Sequence, residues 1–110
     1  MPEPTTVDAF TGVTVLVVDA DDDTRDQLVR ALRRLGLRAL GLVVPDEAVD
    51  LLDGIDADVV LVHGRPAFHS SAVERLKRRT PVVLTEGSIE DVMVAFLRAL
   101  GRPDAAASLN

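Results

Sequence analysis

Apolar runs of strand length alternate with amphipathic stretches along most of this chain. Four runs have the length and the β-branched content of strands: residues 12–19, 37–44, 57–63 and 81–85. The first, third and fourth are apolar at successive positions, which predicts strands that are buried on both faces of a parallel sheet. The second contains Arg38 and Gly41, which favour the edge of the sheet.

Amphipathic helices are predicted between these strands and after the last one, because apolar residues recur there at steps of three and four. Their approximate bounds are 22–35, 45–53, 71–79 and 88–100. Asp22 or Asp23, Ser71 and Ser88 are the expected N-caps of three of these helices. Four arginines of the first helix are interpreted as its solvated face: Arg25, Arg30, Arg33 and Arg34.

Strands that alternate with helices at this spacing predict an α/β fold with a doubly wound parallel sheet and right-handed crossovers. Residues 12–110 are expected to form one domain, preceded by a flexible lead, residues 1–11. Residues 104–109 are interpreted as a weak fifth strand at the sheet edge. A frayed tail is the alternative, because alanine disfavours strands. The predicted sheet is therefore five-stranded, in the order 2-1-3-4-5.

Composition and charge exclude several classes of function. The 110 residues include three Phe but no Tyr or Trp, and the formal net charge is −6, so nucleic-acid binding by this domain is not expected. The absence of Cys excludes thiolate metal sites and cysteine nucleophiles. Residues 1–12 contain no apolar run, so neither a signal peptide nor a membrane anchor is expected, and the cytoplasm is the expected location.

Residues with candidate chemistry lie where the predicted strands end. Asp19 ends the first strand, His63 the third and Thr85 the fourth. Because the ligand crevice of an open α/β sheet lies at the carboxyl ends of its strands, we expect these side chains around the crevice between strands one and three. Asp21 adds a further acid just after the first strand. The sequence therefore predicts a pocket at this edge of the sheet.

Three segments carry a family resemblance: LVVDADDDTR at 16–25, ADVVLVHGRP at 57–66 and PVVLTEG at 81–87. In order and spacing they resemble the landmark segments of bacterial response-regulator receiver domains, over roughly residues 13–104. The resemblance implies a flavodoxin-like fold and a place in two-component signalling. It also implies an acceptor carboxylate after the third strand, magnesium held by paired acids, a hydroxyl after the fourth strand and a lysine after the fifth.

The chain departs from that pattern in the pocket itself. Asp19 matches the first acid and Thr85 the hydroxyl, but Ala20 stands at the second acid. His63 occupies the acceptor position. Imidazole cannot form an acyl phosphate, and it is a poor ligand for a hard ion such as magnesium.

Further departures lie near the end of the chain. The lysine position falls on Ala107 or Ser108, and no sequence remains for the usual last helix. We therefore predict a degenerate receiver with weak or no magnesium binding, no enzymatic activity and no other cofactor, which acts as a phosphorylation-independent protein-interaction module. Its expected partners are proteins of a signalling pathway. The alternative is a working phosphorelay receiver with His63 as its acceptor.

Two finer hypotheses concern the pocket. His63 is expected to be a partly buried ring that is hydrogen-bonded to Asp19. Arg65 either reaches Asp19 and replaces the missing positive charge, or is a solvated loop arginine.

The expected loss of the closing helix also bears on partners. It would leave apolar surface beside the last helix and the sheet edge, and such patches mark interfaces. Val92, Phe96 and Leu100 are the candidate interface for a homodimer or for another protein. The alternative is that the last helix folds over the gap.

Other interpretations of the acidic segment are rejected. Asp19, Asp21 and Asp23 have the odd-position spacing of a calcium loop, but Thr24 and Arg30 replace the glycine and the glutamate that such a loop requires. A phosphatase of the haloacid-dehalogenase type would need a lysine and a later acidic pair, which the chain lacks. No metal site is predicted.

Overall fold

Four strands and four helices alternate in the residues that the computed structural model describes, 12–64 and 70–101. The strands are β1 (Thr14–Val18), β2 (Arg38–Leu42), β3 (Val59–His63) and β4 (Val82–Thr85). The helices are α1 (Asp22–Arg34), α2 (Pro45–Leu51), α3 (Ser71–Arg79) and α4 (Ile89–Ala99). Each element predicted within the described residues is present, although each strand is one to three residues shorter than predicted.

All four strands are parallel, in the order β2-β1-β3-β4. The predicted α/β class is confirmed, as are the parallel sheet and the order of its first four strands. The sheet of the described residues has four strands and not five. The predicted fifth strand, 104–109, lies outside the described residues, as does the predicted lead, 1–11.

The middle of the sheet is apolar on both faces. Residues 15–18 of β1 are completely buried, and residues 59–62 of β3 are at most 1% exposed. Because successive side chains of a strand point to opposite faces, each of these strands contributes to two cores. On β1, Val15 and Val17 belong to one core, whereas Leu16 and Val18 belong to the other. The two strands are therefore central, as their apolar runs predict.

The helices divide equally between the two faces. Leu28 and Leu32 of α1 share a core with Phe96 of α4, on what we call the α1 face. Ala48 of α2 and Leu76 of α3 pack on the opposite face, the α2 face. Helices α1 and α2 lie on opposite faces, as right-handed crossovers require for this strand order. Helix α4 follows β4 and returns to the α1 face.

The position of α4 corrects the interface predicted from the sequence. Val92 and Phe96 are completely buried in the core of the α1 face, and Leu100 is partly buried against it. The three side chains pack towards the sheet, so they do not form an open apolar patch. The structure contains the alternative arrangement, in which the last helix folds over the gap.

Strand β4 is less buried than its sequence predicts. Val82 and Val83 are half-buried and Leu84 is 37% exposed, although the apolar run predicts burial on both faces. The reason is position: β4 is the outermost strand of the described sheet and pairs only with β3. An apolar run shows that a strand can be buried. Whether it is buried depends on the strands and helices that pack beside it.

The capping residues of two helices lie before the predicted ones, although the helices begin where predicted. Asp21 caps α1 in place of Asp22 or Asp23, and its side chain accepts from the backbone N–H groups of Asp23 and Thr24. Ser70, not Ser71, caps α3. The predicted cap of α4, Ser88, is confirmed: its Oγ accepts from the N–H of Asp91.

The free edge of β2 is covered by side chains of two helices. Arg38 donates to Val13 O, so the alternate residues of β2 turn their backbone groups away from β1. Of these groups, the carbonyl of Ala39 accepts from Nε and Nη2 of Arg33 at 3.1 and 2.8 Å. Just beyond the strand, the N–H of Val43 donates to Oε1 of Glu47 at 2.9 Å. The prediction that Arg33 belongs to a solvated face is therefore incomplete. Its guanidinium also donates to a backbone carbonyl at the edge of the sheet.

Among the described helices, none has the length and apolar character that would be needed to cross a membrane.

Replacing Phe96 by Ala tests the core assignment of α4. We expect the free energy of unfolding to fall by about 3 to 5 kcal/mol, the usual cost of emptying a fully buried phenyl site. The matched control is Leu40→Ala, since Leu40 is 40% exposed, and we expect it to cost less than about 1 kcal/mol. Urea unfolding followed by circular dichroism measures both. Equal, small losses would contradict the core position of Phe96.

Candidate functional site

The register of the sheet brings three predicted site residues to one edge. Val18 pairs with Val62, and Asp19 and His63 are the next residues of their chains. His63 in turn pairs with Thr85. Since side chains alternate along a strand and paired residues share a face, Asp19, His63 and Thr85 all follow the α1 face. They form a row across the carboxyl ends of β1, β3 and β4.

The His63 ring is held by Thr85. Nδ1 of His63 lies 3.2 Å from Oγ1 of Thr85, a hydroxyl in a residue that is only 5% exposed. That hydroxyl also donates to the carbonyl of Val62 at 3.4 Å. A hydroxyl has one proton; if Oγ1 donates it to Val62, then Oγ1 accepts from Nδ1–H of His63. In the neutral ring, Nε2 is then left as the acceptor nitrogen.

The hydrogen bond expected between His63 and Asp19 is not the one that the structure contains. Oδ1 of Asp19 accepts from the N–H of Asp21 at 2.9 Å, while Nδ1 of His63 turns to Thr85. The cause is local: the turn after β1 offers Asp19 a donor two residues away, and Thr85 faces His63 directly in the register.

Asp19 is the most constrained residue of the row. It is 5% exposed, its N–H donates to the carbonyl of Leu42 at 3.0 Å, and its own carbonyl accepts from Nη1 of Arg25 at 2.8 Å. Oδ2 is buried and has no hydrogen-bond partner among the described residues. A buried carboxylate oxygen without a donor is uncommon, because desolvation is then not offset. Asp19 is therefore the one described side chain of the row with an acceptor that is both buried and unsatisfied.

Asp21 serves the helix and not the pocket. Its Oδ1 accepts from the N–H groups of Asp23 at 2.9 Å and of Thr24 at 3.1 Å, which caps the first turn of α1. Because that carboxylate is exposed and already engaged, it does not complete an acidic pair with Asp19.

Arg25 joins the site to the edge strand, which the sequence did not reveal. Its side chain is only 19% exposed and its guanidinium donates to Asp19 O and to Asp22. Its stem lies over Gly41, where the Cβ of any larger residue would come within 3.2 Å of Cγ and Cδ of Arg25. The prediction that Arg25 is solvated is therefore wrong. A glycine inside a strand was the available signal, since such glycines often mark a close approach by another group.

The donor set does not fit the magnesium ion that the resemblance implies. Magnesium needs oxygen ligands in near-octahedral geometry, usually from carboxylates. The row supplies one carboxylate, Asp19, together with an imidazole and a hydroxyl that is already hydrogen-bonded. In the ranges 12–64 and 70–101, no three His, Asp or Glu side chains are placed to hold a metal ion together. Arg65, the proposed substitute for the missing charge, lies outside the described residues.

Comparison with solved structures identifies the architecture. The receiver domain of the Francisella response regulator 1452 superposes with a TM-score of 0.58 at 19% identity, over 77% of this chain and 76% of that one. An uncharacterized protein from Neptuniibacter caesariensis superposes with a TM-score of 0.62 at 20% identity, over 82% and 94% of the two chains. The chain has a receiver-like fold. At this level of identity the likeness concerns the fold alone. No family model matches the chain, and no curated protein matches it.

Replacing Thr85 by Val tests the hydrogen bond to His63. We expect the loss of the acceptor to move neutral His63 from the Nδ1–H form towards the Nε2–H form, because Nδ1 then has no partner in the row. Nitrogen chemical shifts of the imidazole, measured by NMR at alkaline pH where the ring is neutral, report the tautomer. Thr85→Ser keeps the hydroxyl and should preserve the Nδ1–H form. A His63 that is already Nε2–H in the unmodified protein would contradict this geometry.

Replacing Arg25 by Ala tests its structural role. We expect a loss of about 1 to 2 kcal/mol in the free energy of unfolding, from a charged hydrogen bond and the packing of the stem on Gly41. Arg30→Ala is the control, because the Arg30 side chain is 69% exposed and, within the described part of the chain, pairs with Asp26 of the same helix. That change should cost less than about 0.5 kcal/mol. Denaturant titrations that give equal losses would contradict the assignment.

Proposed function

We propose that this chain is an atypical receiver domain of two-component signalling that acts as a phosphorylation-independent protein-interaction module. The observation that carries the proposal is the imidazole at the end of β3. His63 stands in register between Asp19 and Thr85, where the receiver pattern requires a carboxylate, and its Nδ1 is hydrogen-bonded to Thr85.

The distribution of charge supports the proposal. Phosphoryl transfer depends on positive groups that neutralise the transferring oxygens. Lys77 is the only lysine of the chain, and it lies on α3, where it reaches Glu74 at 3.4 Å. Helix α3 packs on the α2 face, whereas the row of Asp19, His63 and Thr85 follows the α1 face. The lysine therefore does not read a phosphate at this row.

The proposed module has no catalytic role and no cofactor. It binds protein partners of a signalling pathway in the cytoplasm, and its conformation is set by packing and not by a phosphoryl group. The hydrogen bond from Arg25 to the carbonyl of Asp19 and the His63–Thr85 pair are constant parts of that conformation.

A second candidate function is phosphorelay through His63. The observation that favours it is the tautomer: with Nδ1 bound to Thr85, Nε2 of the neutral ring keeps its lone pair. Nε2 would attack the phosphorus of a donor, an N–P bond would form and the bond to the leaving group would break. Among the described residues, no group of acids is placed to hold magnesium for this step, and Lys77 belongs to a helix on the other face.

Incubation with acetyl phosphate and magnesium separates the two candidates. We expect the intact mass to remain unchanged, because the row has no acyl acceptor and no group that neutralises the phosphoryl oxygens. A mass gain of one phosphoryl group that disappears in His63→Gln would support phosphorelay and contradict the proposed function. The matched variant His63→Asp returns a carboxylate to the acceptor position. It shows whether the acceptor alone is missing or the surrounding charges as well.

A further inference from the structure

A groove lies at the amino ends of β1 and β2, at the end of the sheet opposite to the candidate site. Thr14 and Arg38, the first residues of these strands, pair in the register and line the groove. The turn before β3 contributes Ile55 and Asp56. The groove has a volume of about 720 Å³, and pockets that bind ligands usually measure about 300 to 1,000 Å³. Its size is therefore sufficient for a ligand.

Aliphatic side chains line the groove and continue beyond it along the same edge of the sheet. Leu37, Leu40 and Ile55 belong to its wall. Leu40 is 40% exposed, and Val43 and Val44, which follow β2, are each 44% exposed. Among the described residues, only one further large apolar side chain is exposed to a similar degree. From the start of β2 to Val44 the chain spans about 20 Å. The apolar surface is therefore elongated, which favours an extended occupant over a compact small molecule.

The polar part of the lining is mainly positive. Two arginines, Arg33 and Arg38, line the groove with one acid, Asp56, although the formal net charge of the chain is −6. The guanidinium of Arg38 is exposed and has no partner among the described residues. Arg33 donates to the carbonyl of Ala39 and remains charged. The N–H of Ala39 points away from β1, and no described residue accepts from it. These donors suit a carboxylate.

The acids of α1 lie too far from the groove to cancel this charge. Asp22, Asp23 and Asp26 lie about 10 to 17 Å along the helix from Arg33, which exceeds the screening length of about 8 Å at physiological ionic strength. Asp22 and Asp26 also form ion pairs with arginines of the same helix. The basic character of the groove is therefore local and is not visible in the net charge of the chain.

We propose that this groove binds an extended segment of a partner protein in which acidic and aliphatic residues alternate. A carboxylate of the segment accepts from Arg38 and from the N–H of Ala39, and its aliphatic side chains pack on Leu40 and Ile55. Asp56 accepts from an N–H group of the segment. Because Arg33 already occupies a carbonyl of this edge, the segment binds chiefly through its side chains and not as an added strand.

This inference rests on the proposed interaction function and gives the partner its chemistry. The length of β1, about 16 Å, separates the groove from the row of Asp19, His63 and Thr85. No group of that row lines the groove. Binding of the acidic segment therefore requires no phosphoryl group on the row.

Titration of the isotope-labelled full chain with a synthetic peptide, followed by NMR, tests the proposal. The probe is a capped peptide of about six residues, long enough for the exposed surface, in which glutamate and leucine alternate. We expect the amide signals of residues 14, 37–40 and 55–56 to shift, while those of Asp19 and Thr85 stay unchanged. A peptide of equal length in which lysine and leucine alternate should bind roughly tenfold more weakly or less.

Paired variants separate local charge from net charge. Arg38→Glu should weaken binding of the glutamate–leucine peptide roughly tenfold or more, because a repelling carboxylate replaces the free guanidinium. Arg98→Glu, at an exposed position of α4, changes the net charge equally and should leave the affinity unchanged. Leu40→Ser should weaken binding several-fold, whereas Leu84→Ser, at 37% exposure against 40% for Leu40, should not. Circular dichroism checks that all four variants fold.

Four outcomes would overturn the proposal: equal weakening by Arg38→Glu and Arg98→Glu, equal affinity for the two peptides, absence of localised shifts at millimolar peptide, or the same shifts at the same affinity with hexanoate. The last outcome would assign the groove to a small aliphatic carboxylate. The experiment with acetyl phosphate remains independent of these results. An unchanged mass without peptide binding would leave the proposed function in place and remove only this groove as its docking surface.

Discussion

The parallel pairing of β1 with both β2 and β3 is the constraint on which this domain depends. Residues 15–18 of β1 are completely buried, and each of these four side chains belongs to one of the two cores. A slip of one residue would exchange the two cores and carry Asp19 to the opposite face. The same register that packs the aliphatic side chains therefore also places Asp19 in the row with His63 and Thr85.

The backbone beneath that row is tied down more firmly than its side chains. The peptide groups of Asp19 bond to β2 and to Arg25, and the turn that follows is closed by the cap at Asp21. His63 and Thr85, by contrast, hold each other through one contact of 3.2 Å. The backbone around the row is thus fixed by hydrogen bonds, while His63 and Thr85 satisfy each other and one carboxylate oxygen, Oδ2 of Asp19, has no partner among the described residues.

Much of the fold could be predicted from apolar patterns, because the apolar side chains of β1, β3 and α1 are buried as their spacing predicts. The environment of β4 and the face chosen by α4 could not, since an apolar run is the same at an edge as in the middle of a sheet. For the pocket, strand ends were sufficient to group Asp19, His63 and Thr85. The hydrogen-bond partner of His63 was not predictable, because the sequence places both Asp19 and Thr85 beside it. Only the geometry of the turn after β1 shows that Asp19 accepts from the N–H of Asp21, while His63 contacts Thr85.

The cover on β2 has a consequence for how large an assembly of this fold can become. Sheets that are open on both sides can recruit copies without limit and grow into filaments, as in cross-β fibres. Here Arg33 and Glu47 occupy backbone groups along one margin, so growth in that direction is blocked. The same side chains that complete the edge of the domain therefore also limit how further copies can add to its sheet.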